Sequence, residues 1–184
     1  MTRWIGPLLV LIATAAMAHW AALAYAPNVI MDRALSALKK RGISEHAFTT
    51  PQRITPQTQA VVRSSPDLFY SLCRFDFSGD VEAVRLQMAA WPQYQSLSFF
   101  DAETNNFATI RAVGQDLETY LLPPSSPNTA SYPQSPSQKG VILIRRLAPT
   151  QATFDQAAEV ARDDGCEALT FFETPPDAVT RNQP

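Results

Sequence analysis

Between Arg3 and Asp32 the chain carries no formally charged residue, and residues 4–26 read WIGPLLVLIATAAMAHWAALAYA. As a helix this stretch would rise roughly 34 Å at about 1.5 Å per residue, against a bilayer hydrocarbon core of about 30 Å. It is long enough to span. Everything after it is therefore read as what the segment carries to, or through, a membrane.

A cleaved export signal and a retained anchor both fit. Ala16-Met17-Ala18, Ala22-Leu23-Ala24 and Ala24-Tyr25-Ala26 are acceptable cleavage sequences. Apolar character continues past the early ones, however, and Trp4, Trp20 and Tyr25 lie near the two ends, where amphipathic rings favour the interface. The anchor is the preferred reading. His19 falls inside the span; an ionisable group there is by default a functional hypothesis, but a single imidazole among small apolar residues is read as tolerated.

Orientation draws on opposing signals. Arg33, Lys39, Lys40 and Arg41 follow the span closely, which by the positive-inside rule favours a cytoplasmic C-terminus. Long domains translocate largely regardless of charge, and a span that begins almost at the first residue has the shape of an export signal. The expected location is the bacterial inner membrane, single-pass, with the bulk of the chain periplasmic.

The remainder of the 184 residues suits one domain with its own core. A net charge of −2 and the lack of any basic run beyond Lys39-Lys40-Arg41 leave nucleic-acid binding without an electrostatic footprint. Cys73 and Cys166 could pair in an oxidising compartment. An apolar strand cysteine is more often a small core residue, and that is how both are read.

In chain order, Asn28 is a candidate N-cap for a juxtamembrane helix within residues 27–47. Its stripe is Ile30, Met31, Ala34, Leu35 and Leu38, and it stops at Gly42. It would continue the span or pack across the domain. Residues 48–65 read as an extended connection punctuated by prolines, after which the apolar period becomes two. Residues 68–77 put Phe69, Ser71, Cys73, Phe75 and Phe77 on one face. Val84, Leu86 and Met88 alternate as a strand or a short helix; residues 94–100, 107–113 and 119–122 read as further strands. The Pro/Ser-rich run at 123–139 is a loop or disordered excursion. A buried strand at 141–144 follows, then a helix capped by Thr153 with Gln156 and ended by Gly165, a strand at 168–172 and a flexible tail at 174–184. The fold class is mostly β, a sandwich or jelly-roll-like α+β domain over residues 48–173, behind an N-terminal transmembrane helix.

Three runs carry a resemblance. Ser65-Pro66-Asp67-Leu68-Phe69-Tyr70-Ser71, then Tyr94-Gln95-Ser96-Leu97-Ser98-Phe99-Phe100-Asp101, then Thr104-Asn105-Asn106-Phe107 are similar to motifs of the bacterial domain of unknown function twelve fifty-four, over about residues 48–147. Ser65 and Leu68 depart from the family's Asn and Thr. The resemblance implies an exported or envelope protein with no established reaction. It also implies a companion: long forms carry a second all-β module, of the twelve-fourteen type, so a separately encoded protein of that type or a second copy is the expected partner, besides the lipid bilayer.

Asp67 before a strand and Asp101 at a strand end could bring two carboxylates to one rim, with Tyr70, Asn105, Asn106 and Arg145 as further polar groups for a small ligand. The plainer reading is that Asp67, Asn105 and Asn106 bond turn backbone and that Arg145 pairs with a carboxylate across the sheet. His19 and His46 are the only imidazoles, too few for a histidine-built metal site. There is no nucleophile elbow and no phosphate-cradling glycine loop, and no cofactor is expected. The chain is read as a structural or partner-binding envelope module, with an envelope enzyme or small-ligand receptor as the alternative.

Overall fold

The structure is a computed structural model, described here for residues 4–55, 64–127 and 131–172. The tail from 174 onward and part of the Pro/Ser-rich run lie outside the described residues. Helix α1 spans Ile5–Lys40 without a break. A separate helix opening at Asn28 is therefore corrected: Pro27 lies inside α1, and Asn28 does not cap it. A cap forms only where the preceding residues leave the helix, and Ala24-Tyr25-Ala26 contains nothing that makes them leave. Gly42 does stop it, at φ +78°. Its N–H donates to the Lys39 carbonyl and that of Ile43 to the Leu38 carbonyl, the two bonds of a Schellman ending. Of the expected stripe, Met31 and Leu35 are buried, Leu38 is half-buried, and Ile30 and Ala34 stay exposed.

Among the described residues, seven antiparallel strands make two sheets. One holds β1 (Leu68–Asp76), β6 (Lys139–Leu147), β3 (Gln95–Phe100) and β4 (Asn106–Arg111), in that spatial order. The other holds β5 (Leu117–Leu121), β2 (Ala83–Met88) and β7 (Gly165–Leu169). Period-two patterning sets their facing sides. Phe69, Ser71, Cys73 and Phe75 of β1 all point inward, as do Val84, Leu86 and Met88 of β2, which settles that segment as a strand. Cys73, Phe75, Val84, Leu86 and Met88 meet Leu97, Phe99, Ile142, Ile144 and Leu121 in the main core. At Gly140 an added Cβ would run into the Phe100 carbonyl oxygen and the Phe75 ring, so β6 passes β3 closely only with glycine there.

Cys73 and Cys166 form a disulfide between β1 and β7, with Cα atoms 6.6 Å apart. This corrects their reading as unpaired core residues. Both are buried as that reading required, but the sandwich brings β1 over β7, a proximity that no spacing along the chain encodes.

Helix α2 (Gln151–Val160) closes one end, placing Phe154 4.9 Å from Phe69, beside Trp91 and Ala157. Its cap is Thr150, which accepts from the Thr153 N–H while Thr153 returns a bond to the Thr150 N–H. The expected cap lay one turn later because Thr153 and Gln156 fit the same spacing rule. Gly165 opens β7 instead of ending the helix, and the strand runs three residues earlier than the expected 168–172. Part of the Pro/Ser-rich run is ordered: Leu122 donates to the Pro133 carbonyl, and Gln134 Nε2 donates to the carbonyls of Pro123, Pro124 and Ser126.

Candidate functional site

β6 runs antiparallel to both β1 and β3, so those two strands are parallel to each other. The residue before β1 and the residue after β3 therefore lie at opposite ends of β6. Asp67 is beside Ala148, whose N–H donates to its carbonyl, whereas Asp101 follows Phe100, which is paired with Val141. Seven residues of strand, roughly 23 Å, separate these levels. The two carboxylates do not share a rim.

Asp101 is spent on its own turn. Its carboxylate accepts from the N–H groups of Glu103 and Asn105, both at 2.8 Å, and from Asn105 Nδ2 at 3.0 Å. This Asx arrangement holds Thr104 at φ +67°, a conformation uncommon for a β-branched residue. The Asn106 amide and the Thr109 hydroxyl are 3.1 Å apart. Tyr70 accepts through its hydroxyl from the Ser65 N–H at 3.1 Å. Arg145 is the register neighbour of Tyr70, and its guanidinium lies 5.9 Å from the Phe100 ring centroid. That cation–π contact stands where a carboxylate pair was expected. The structure thus groups Tyr70 with Arg145 and Asp101 with Asn105 and Asn106, and leaves Asp67 apart.

A second polar cluster was not singled out in the sequence. Arg146, one residue beyond Arg145, points into the sandwich, and its Nη1 and Nη2 reach Asp164 at 2.7 and 2.6 Å. Neither side chain is exposed. Arg146 Nη2 also donates to the Ala89 carbonyl at 3.1 Å, and the Ala89 N–H donates to Asp164 Oδ1 at 3.1 Å, which closes a ring of bonds between β6, the end of β2 and the approach to β7. Ser71 Oγ lies 3.5 Å from Asp164 Oδ2. Gln95 is paired in register with Arg146; its Nε2 donates to the Ala112 and Gln115 carbonyls. Gln95 Oε1 and Arg146 Nε are buried without a partner among the described residues. The signal was parity: Arg146 shares the face of Ile142 and Ile144, and Gln95 that of Leu97 and Phe99. With both carboxylate oxygens engaged and no opening to solvent, this cluster clamps two sheets; it offers no surface to a substrate.

The outer face of the three-stranded sheet carries the perturbed ionisations. Arg85 reaches Glu118 at 3.2–3.3 Å, and Tyr120 donates to Glu118 at 2.9 Å. The Arg85 hydrogen bond, followed by that of Tyr120, holds the Glu118 carboxyl below its ordinary value, while burial and then the bond to Glu118 push the Tyr120 phenol up. Arg85 is raised by the same bond. Tyr120 also meets the rings of Tyr132 and Phe172, at 5.2 and 4.9 Å.

Where α1 meets the four-stranded sheet, a shallow groove of about 290 Å³ is lined by Asp32, Lys39, Glu45, Arg74, Asp76 and Lys139, among others. Its charges are largely paired: Lys139 with Asp32 at 2.7 Å and Arg74 with Glu45 at 3.1 Å. The groove is a joint between helix and domain. Among the described residues no group of three or more His, Cys, Asp or Glu side chains could hold a metal.

A family model described as "Protein of unknown function (DUF1254)" matches residues 46–166. No curated protein matches the chain. Among solved structures, the chain is similar to the VPA0106 protein of Vibrio parahaemolyticus, at 12% identity and a TM-score of 0.56 over 83% of this chain and 40% of that one. It is also similar to an uncharacterized protein of Burkholderia cenocepacia, at 14% identity and a TM-score of 0.44 over 72% and 38%. The chain spans about two fifths of the length of these proteins. The Vibrio likeness carries the fold alone.

Proposed function

This chain belongs to the DUF1254 family, and we propose that it is a single-pass inner-membrane protein whose periplasmic β domain serves as a structural or partner-binding module of the cell envelope. The observation that carries this reading is the Cys73–Cys166 disulfide in the core of a domain joined to an exposed apolar helix. Structural disulfides persist in oxidising compartments such as the periplasm. Helix α1 is long and apolar enough to cross a membrane by length and composition, and none of its most apolar window is buried. The basic residues after the span have a role independent of topology: Lys39 and Lys40 occupy the last turn of α1, where cations offset the helix dipole.

The placement of Asp67 away from Asp101, and the commitment of Asp101 to its turn, favour this module over an enzyme or small-ligand receptor. Its protein partner in this reading is a separately encoded protein of the twelve-fourteen type, expected to co-purify from detergent-solubilised membranes. Recovery of the chain as a well-folded, unaccompanied monomer would remove that partner.

Intact mass of the membrane-extracted protein, combined with protease digestion of spheroplasts, tests the anchor and the topology together. Retention of residues 1–26 with the domain digested from outside is the expected result. A mass beginning after Ala18, Ala24 or Ala26 would make the protein a soluble secreted domain, and an uncleaved, protected domain would place it in the cytoplasm.

A further inference from the structure

Most arginines of the β domain are spoken for. Arg53 donates to the Gln151 side chain and the Pro149 carbonyl, while Arg74, Arg85, Arg146 and Arg162 pair with Glu45, Glu118, Asp164 and Glu159. Arg111 and Arg145 differ: among the described residues neither forms an ion pair or donates a hydrogen bond. Each lies instead against a ring, Arg111 at 6.0 Å from the Tyr94 centroid and Arg145 at 5.9 Å from that of Phe100. Such contacts engage the face of a guanidinium and leave its N–H edge free.

The strand register brings these two arginines into one row. Tyr70 is paired with Arg145, Arg145 with Ser96 and Ser96 with Arg111, so the row crosses β1, β6, β3 and β4. Parity sets it on the outer face of the sheet, because the neighbours Phe69, Ile144, Leu97 and Ile110 turn to the core. Two strand spacings of about 4.8 Å leave the Arg111 and Arg145 Cα atoms roughly 10 Å apart, within the joint reach of two long side chains. Ser96 between them is short, and its hydroxyl accepts from that of Tyr94 at 3.0 Å. Arg111 is exposed and Arg145 half-buried. No carboxylate answers their charges. The next row is Leu72, Leu143, Ser98 and Thr109, and on the other side stand Leu68, Leu147 and Tyr94.

Two uncompensated like charges on one sheet face repel, and an anion that accepts from both forks removes the repulsion. Charge decides which anion fits. A phosphoryl group carries about −1.5 to −2 at pH 7, with three acceptor oxygens, and so answers both guanidiniums. A singly charged carboxylate or phosphodiester leaves one unanswered. We propose that the Arg145-Ser96-Arg111 row is a binding site for a phosphoryl dianion, either inorganic phosphate or a phosphomonoester, clamped between the two arginines. It is separate from the carboxylate rim set aside above, and it stands or falls independently of the anchor and partner readings.

The test uses the full chain in zwitterionic bicelles, titrated with methyl phosphate and with dimethyl phosphate and followed by the guanidinium Nε–H signals in NMR. With the monoester, the Arg111 and Arg145 signals should shift together and saturate, and binding should be about tenfold tighter than for the diester. Arg111→Gln and Arg145→Gln should each weaken monoester binding about tenfold, the loss of one charge-assisted contact, while Arg162→Gln leaves it unchanged. Absence of saturable shifts, equal binding of the two esters, or a shift of one arginine without the other would overturn the site. Shifts produced by doping the bicelles with phosphatidylglycerol but not by the monoester would overturn it in favour of a membrane contact.

Discussion

Asp164, the residue immediately before β7, meets Arg146 of β6 through both carboxylate oxygens, at 2.6 and 2.7 Å, with neither side chain exposed to solvent. Two segments of opposite sheets are thus joined by one bidentate ion pair. Its removal is costly on one side only, because the surviving charge stays buried.

Asp164→Asn or Arg146→Met is expected to destabilise the domain by about 3–5 kcal/mol, with the Arg146→Met/Asp164→Leu double variant recovering much of the loss. Chemical unfolding of the detergent-solubilised chain, followed by near-UV circular dichroism, measures both. Equal losses in single and double variants would show that the pair contributes net stability beyond charge compensation.

The disulfide closes a long loop, Cys73 and Cys166 being 93 residues apart. Replacing both cysteines by serine should cost about 2–5 kcal/mol. Alkylation before and after reduction reads the bridge directly: the native chain should take up label at both cysteines only once reduced and unfolded.

Gly140→Ala sets a methyl group against the Phe100 carbonyl oxygen, a backbone atom that cannot swing away as a side chain end can. Overpacking of this kind costs about 1–3 kcal/mol, and the melting temperature should fall accordingly. An unchanged melting temperature would mean that β6 and β3 separate without cost at this level.

The Arg85–Glu118 contact predicts a pH dependence of definite sign. The folded-state pKa of Glu118 is lowered, so its contribution to stability is present above the ordinary carboxylate value and is lost as pH falls through the lowered one. Arg85→Gln should move the Glu118 titration upward, as read by carboxyl-carbon NMR. Both groups are solvent-accessible, so the accompanying change in stability should be small.

Strand faces were legible where apolar residues recur at nearly every second position. The inward set of β1 and the Val84-Leu86-Met88 face of β2 are what period two dictates. Boundaries set by capping were less so: Thr150 and Thr153 compete for one rule, and the choice falls to the extended backbone of Thr150 and the packing of Phe154 on Phe69. The candidate polar residues were chosen by type and by nearness to strand ends. Type alone could not show that Asp101 would be consumed by its turn, nor that Arg146, and not Arg145, would enter the core.

By itself the sequence determined that a long apolar helix is followed by a mostly β fold, because hydrophobic length and period are properties of consecutive residues. Only the tertiary structure decided that Cys73 meets Cys166, that Arg146 meets Asp164, and that Met31 and Leu35 of α1 pack with Val141 of β6. Each of these is a contact between residues far apart in the chain, fixed by strand order and register. Those in turn depend on how both sheets bury their inner faces together, and no local pattern carries that information.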